Sequence, residues 1–257
     1  MGRYKIIAFA NQKGGVGKTT SAVNVSACAA KSGKKTLLID IDPQGNATTG
    51  LGIDKKRSGL SSYDLFIGRA KAGEVIADTC VEKLSIIPAS IDLVGAEIEL
   101  VDQEKREFRL KAALTEIKDD FDLIFIDCPP SLGLITLNAL TAADGLIIPV
   151  LCEFYSLEGL SQLTSTVRHV KGRLNPSLDI LGVLINMYDG RLTLNAQVLD
   201  EIKKYFGSKV ISRPVPRNIK LSEAPSYGLP AFMYDRYAKG TRAYEEITNE
   251  IIKRSGA

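Results

Sequence analysis

Short apolar runs alternate with amphipathic stretches along this chain. Residues 4–10 read as a buried strand. Beyond a glycine-rich stretch, residues 21–31 carry Ala22, Val25 and Ala29 on one helical face, with Gly33 just past the end, so they read as a helix. Residues 36–41, 84–88, 122–127, 145–150, 180–185 and 209–212 are further strands, and residues 107–118 read as helix between two of them. Strands apolar on both sides must be covered on both sides, and helices between them favour parallel order. The pattern predicts an α/β fold, a mostly parallel twisted sheet with helices on both faces. Residues 43–60, with Pro43, Gly45, Gly50, Gly52 and Gly59, read as loop. With no internal repeat or low-complexity linker, residues 1–257 are expected to form one domain. The first strand starts close to Met1, so no helix-turn-helix module is expected ahead of it.

The stretch between the first strand and the first helix carries chemistry. It reads Asn11-Gln12-Lys13-Gly14-Gly15-Val16-Gly17-Lys18-Thr19-Thr20. The usual phosphate-binding loop is G-x-x-x-x-G-K-[ST], which would put a glycine where Gln12 stands. Gly14, Gly15 and Gly17 let the backbone curl and aim its N–H groups at phosphate oxygens. Lys18 is placed for the β- and γ-phosphates and the Thr19 hydroxyl for Mg²⁺. A helix starting near Thr19 adds its positive end. Lys13 is surplus to this scheme. It stands idle in solvent, supports the loop, or reaches a phosphate outside its own site.

Two more strands end in acids. Leu37-Leu38-Ile39-Asp40-Ile41-Asp42-Pro43-Gln44-Gly45 puts Asp40 and Asp42 on the same side of the chain at the strand end that also carries the loop. A hydrolase needs a carboxylate there to orient or deprotonate water. Asp122-Leu123-Ile124-Phe125-Ile126-Asp127 ends in the acid expected to hold Mg²⁺, as in a Walker B strand. Asn186 follows the strand at 180–185, and Pro214-Val215-Pro216-Arg217-Asn218 follows the run at 209–212. An amide from Asn186 and a flat wall from Pro216 would suit adenine; ordinary loop residues are the alternative.

Composition narrows the class. The chain is 45% hydrophobic and 25% charged, ordinary for a globular protein. Cys28, Cys80, Cys128 and Cys152 form no C-x-x-C pair and His169 is the sole histidine, which argues against a zinc or iron–sulfur site within one chain. Cys28, Cys128 and Cys152 lie in apolar stretches and are expected in the core. Scattered thiols without a signal peptide suggest a reducing cytoplasm. No apolar run reaches the roughly 20 residues of a membrane span. The net charge of +3 is uneven: residues 186–257 hold 12 basic and 8 acidic side chains. This excess is a solvated surface or a contact for an anionic partner such as DNA. Arg191 and Lys220, read as loop residues, are the best candidates for such a contact.

The string Lys13-Gly14-Gly15-Val16-Gly17-Lys18-Thr19-Thr20 resembles the deviant Walker A loop of the ParA/MinD family of P-loop ATPases. D-x-D-P-Q-G-N, D-C-P-P-S-L-G and the stretches 96–100, 153–160 and 221–225 extend the likeness over nearly the whole chain, most like the chromosomal ParA/Soj branch. The resemblance implies a P-loop NTPase fold, ATP and Mg²⁺, and a homodimer sandwiching two nucleotides, in which Lys13 crosses to the partner's ATP. It ties Asp42 to hydrolysis and Asp40 to the metal or the switch. It puts base-binding residues at Asn186 and at Pro214, Pro216, Arg217 and Asn218, and a γ-phosphate sensor in Pro129-Pro130-Ser131-Leu132-Gly133. It further implies non-specific double-stranded DNA binding on the nucleoid and a ParB-type partner that stimulates a slow ATPase, hence a partitioning role with no membrane partner. The main rival is a MinD-like cell-division ATPase at the membrane. It needs a basic amphipathic C-terminal helix, and residues 244–257 hold too many acids for one. A nitrogenase-reductase-like carrier lacks its surrounding motifs, and Asp42 with Asp127 argues against a non-catalytic switch or scaffold.

Overall fold

The computed structural model describes residues 5–55 and 59–256; Tyr4 of the first expected strand and residues 56–58 of the expected loop lie outside it. Among the described residues seven strands form one sheet: β1 Ile6–Phe9, β2 Thr36–Asp40, β3 Ala77–Asp78, β4 Leu84–Ile87, β5 Leu123–Asp127, β6 Gly145–Leu151 and β7 Asp179–Asn186. Their order is β3-β4-β2-β5-β1-β6-β7. All pairings are parallel except β3 with β4.

Alternation along each strand divides the core in two. Ile6, Ala8, Leu37, Ile39, Ile124 and Ile126 face one way, into a layer with the Leu134–Ala142 and Ser156–Arg173 helices. Ile7, Phe9, Leu38, Leu123 and Phe125 face the other, under the Lys18–Lys31 and Lys239–Ser255 helices. Two apolar faces explain why these strands are continuous apolar runs. The period of two also carries Asp40 and Asp127 to the Lys18–Lys31 side, where the phosphate loop opens. They are direct register partners, and Phe9 of β1 is the next partner of Asp127.

Several expectations need correction. Residues 209–212 are not a strand. A 3₁₀ turn at Gly207–Lys209 and Pro214 confine the segment, which makes a single bridge, Val183 with Val210; Pro216, beyond it, bridges Tyr188. The helix expected over 107–118 covers only Arg109–Leu114, between 3₁₀ turns at Arg106–Phe108 and Lys118–Asp120. The loop expected over 43–60 contains a helix, Asn46–Gly50. Lys220 lies in a short helix, Ile219–Glu223, rather than a loop; Asn218 caps it by accepting the Lys220 N–H at 2.8 Å. Cys28, Cys128 and Cys152 are buried as expected, and Cys80 is exposed.

Candidate functional site

β1 stops at Phe9 and the chain turns through Asn11–Gly17 into the Lys18–Lys31 helix. Gly15 and Gly17 have φ of 72° and 83°, left-handed values that suit glycine. Gly17 is fixed twice over, because a Cβ there would lie 2.7 Å from Nδ2 of Asn186. That amide donates to Val16 O at 2.7 Å and to Ser21 Oγ at 3.1 Å, so the end of β7 holds the loop from below. Gly14 and Gly15 face open space. Lys18 is buried, and its Nζ donates to Lys13 O at 3.1 Å. Burial lowers its pKa, opposed by Asp127, Cys128 and Asp42.

The acids differ sharply in what they do. Asp127 is fully buried, and neither of its carboxylate oxygens has a hydrogen-bond partner. Burial and then the Asp40 charge push its carboxyl well above the usual range, against the Thr19 side chain. A buried, unsatisfied carboxylate beside Thr19 and Lys18 has the chemistry of a cation ligand. Asp40 uses its oxygens locally. Oδ2 accepts from the Thr48 N–H at 2.8 Å and hydroxyl at 2.7 Å, and Oδ1 from the Asp42 N–H at 3.1 Å. Thr48 Oγ1 accepts in turn from the Ala89 N–H at 2.9 Å. Asp40 therefore braces the loops after β2 and β4. Burial raises its carboxyl to about 6. Asp42 is buried above this brace, its Oδ1 accepting from the Gln44 N–H at 2.9 Å.

On the other side of the loop lies a cavity of about 510 Å³. Gly17, Thr19, Thr20, Asn186, Pro216, Arg217 and Asn218 line it, together with Met187 and Val215; Pro214 does not. Asn186 Oδ1 is buried without a partner. The segment after Ser212 runs along β7, with Val215 N–H donating to Ile185 O at 2.8 Å and Tyr188 N–H to Val215 O at 2.9 Å. These backbone bonds bring the two expected base-binding segments together. The sequence signal for Val215 and Met187 was their position beside Pro216 and Asn186; neither residue type announces a site.

Lys13 is not idle in the single chain: its ammonium pairs with the Glu153 carboxylate. Its N–H donates to Asn11 Oδ1 at 3.0 Å, which supports the loop as well. The two basic candidates are also paired. Arg191 donates Nε and Nη2 to Asp189 at 2.9 and 2.6 Å, and that hydrogen bonding holds the Asp189 carboxyl down at about 2. Lys220 Nζ donates to Glu223 at 2.9 Å, and the Tyr234 hydroxyl donates to the same carboxylate. The two stand at different places in the chain fold, Arg191 in the turn after β7 and Lys220 beyond the 210–216 segment.

The chain that carries this loop, carboxylate and cavity is similar to several known proteins. Residues 4–180 match the family model for an AAA domain. The chain is 55% identical over 96% of its length, and 98% of the relative's, to sporulation initiation inhibitor protein Soj of Bacillus subtilis. It is 52% identical to the chromosome-partitioning ATPase Soj of Treponema pallidum, with 98% of each chain covered. Among solved structures, cobyrinic acid a,c-diamide synthase from Mycobacterium smegmatis with bound ADP and magnesium superposes with a TM-score of 0.85 at 36% identity, over 98% of this chain and 96% of that one. The septum site-determining protein MinD of Pyrococcus horikoshii, complexed with Mg-ADP, gives 0.82 at 25% identity, over 98% and 97%. A deviant Walker A loop on this sheet order, in a chain so similar to Soj along its whole length, makes it a member of the ParA/MinD family of P-loop ATPases, in the ParA/Soj branch.

Proposed function

We propose that this chain is an ATP-hydrolysing partitioning protein whose nucleotide state sets its oligomeric state and its hold on DNA. The observation that carries this reading is the buried, unsatisfied Asp127 carboxylate next to Thr19, Lys18 and the glycine loop. Backbone N–H groups of Gly14–Thr20 and the Lys18 ammonium bind the phosphates. Thr19 and Asp127 hold Mg²⁺, which supplies positive charge against the phosphate oxygens when bound. The base lies in the cavity between Asn186 and Pro216, with Arg217 and Asn218 at its mouth. Asp42 orients the water for in-line attack on the γ-phosphate, and Lys18 with Lys13 stabilises the developing charge.

Lys13 is the proposed link to a second copy. Freed from Glu153, it reaches the partner's nucleotide in an ATP-dependent sandwich dimer. The dimer binds duplex DNA without sequence preference through Arg191 and Lys220, which places the protein on the nucleoid in the cytoplasm. A ParB-type protein stimulates hydrolysis and releases it. The names of the Soj relatives support partitioning over the MinD-like alternative at the membrane. So does the final helix, whose apolar residues Tyr244, Ile247 and Ile251 are already spent in the core. The experiment is a salt titration of duplex-DNA binding with ATP against ADP. Lys18→Ala is expected to lose nucleotide and DNA together, and Asp42→Ala to leave a DNA-bound dimer that does not turn over. An Asp42→Ala protein that stays monomeric with Mg-ATP, or ignores DNA at low salt, refutes the reading; vesicle binding in place of DNA binding favours the MinD-like one.

A further inference from the structure

On the layer opposite the phosphate loop, the Leu93–Glu99 helix buries Leu93 and Ala96, with Leu100 just after it. Its outer side is apolar as well. Ile91, Val94, Ile98 and Val101 are 64, 60, 76 and 53% exposed. Exposed apolar residues are ordinary one at a time. Four at spacings of three and four make a continuous stripe, which marks a binding face.

The border of the stripe is acidic. Asp92, Glu99, Asp102 and Glu104 are exposed around it and Glu97 is half-buried, while Lys105 is the one base in residues 90–105. Among the described residues none of these five acids has an ion-pair partner. That charge repels DNA and anionic lipid, and it disfavours pairing with the same face of a second copy. Its complement is a helix with apolar anchors at i, i+3 or i+4 and i+7, flanked by Lys or Arg.

The inner side of the helix touches the nucleotide loops. Glu97 accepts from the Ile135 N–H at 3.4 Å, and its Oε1 lies so near Gly133 that a Cβ there would be 2.1 Å away. Gly133 closes the loop that follows Asp127. Val94 and Glu97 also roof a cavity of about 160 Å³ whose other walls include Pro43, next to Asp42, and Pro129. The helix that carries the stripe therefore touches the loops that follow Asp42 and Asp127.

We infer that the stripe of Ile91, Val94, Ile98 and Val101, with its acidic border, is the docking face for a basic amphipathic helix of the activating partner, and that docking reaches the nucleotide through Glu97 and the cavity under Val94. This rests on the partner-stimulated ATPase proposed above. The test uses the full chain with Mg-ATP, duplex DNA and the whole ParB-type protein. Two variants are compared with the wild type: Ile91→Ser with Ile98→Ser, and Asp102→Lys with Glu104→Lys. All four side chains are exposed, so a wild-type melting temperature and unstimulated hydrolysis within twofold of wild type are expected. The partner concentration for half-maximal stimulation is expected to rise at least tenfold in both, and the charge variant is expected to lose most of its salt dependence. Variants stimulated like the wild type overturn the docking face alone. An apolar variant that melts normally but no longer dimerises with ATP overturns it too, since a second copy then covers the stripe. A wild-type chain that the partner does not stimulate refutes the ATPase reading and the docking face with it.

Discussion

Replacing Asp127 by Asn should stabilise the nucleotide-free protein while disabling it. Both carboxylate oxygens are buried without a partner, and the register neighbour Asp40 is a second buried carboxylate. A buried polar atom left unpaired costs roughly 1–3 kcal/mol, more when charged. The Asp40 carboxyl is itself raised to about 6, chiefly by burial. Asn removes the buried charge, so a gain of about 1–3 kcal/mol is expected. For a chain of this size that raises the melting temperature by roughly 3–10 °C. The effect has a definite pH dependence. A carboxyl whose folded pKa exceeds its unfolded value contributes stability that is fully present below the unfolded pKa and lost as pH rises through the folded one. For Asp127, whose carboxyl is held well above its usual value, that loss sets in above the ordinary carboxylate range and is completed only above its raised folded pKa. The wild type should therefore gain on the variant as pH falls from about 7.5 to about 5. Thermal unfolding by circular dichroism without nucleotide or Mg²⁺ measures the first part, and calorimetric ATP titration with and without Mg²⁺ the second. An Asn variant that melts at or below the wild type near neutral pH, or that keeps Mg²⁺-dependent ATP affinity, refutes the reasoning.

Gly17→Ala combines a left-handed φ with a Cβ 2.7 Å from the Asn186 amide. A loss of about 2–4 kcal/mol in urea unfolding and of ATP binding is expected, and wild-type unfolding would show that the loop is not braced from β7. Glu153→Gln removes an exposed ion pair worth ~0.2–1 kcal/mol and frees Lys13. The ATP concentration at half-dimerisation, read by light scattering, should fall by roughly 1.4- to 5-fold, and a rise would mean that Glu153 contributes to the dimer.

The sheet was legible because its strands are buried on both faces. Runs such as Leu37–Ile39 and Ile124–Ile126 have no polar side to hide them. The Leu134–Ala142 helix was not, for the same reason: nearly every side is apolar or small, so no stripe forms. Residues 209–212 looked like a strand because four residues beside a proline cannot distinguish a strand from a bridge. In the site, Lys18, Thr19 and Asp127 followed from spacing within a loop or a strand. The bracing roles did not. Asn186 supports Val16 across 170 positions, and Asp40 meets Thr48 and, through it, Ala89 only once β2 and β4 are side by side. A residue type suggests that a group is polar; only the register of distant strands decides what it touches.

Both edges of the sheet bear on solubility. On the β7 side, Ile211 N–H donates to Val183 O at 2.9 Å and Val215 N–H to Ile185 O, while Pro214 and Pro216 present no N–H outward. The opposite edge is β3, two residues long and reversed. Open strand edges recruit further strands and seed aggregates, and short, proline-bearing or covered edges prevent it. The reversible dimer proposed above gains from this arrangement. Contact between copies would then fall to side-chain surfaces, which separate again, rather than to backbone ladders, which hold an assembly fast.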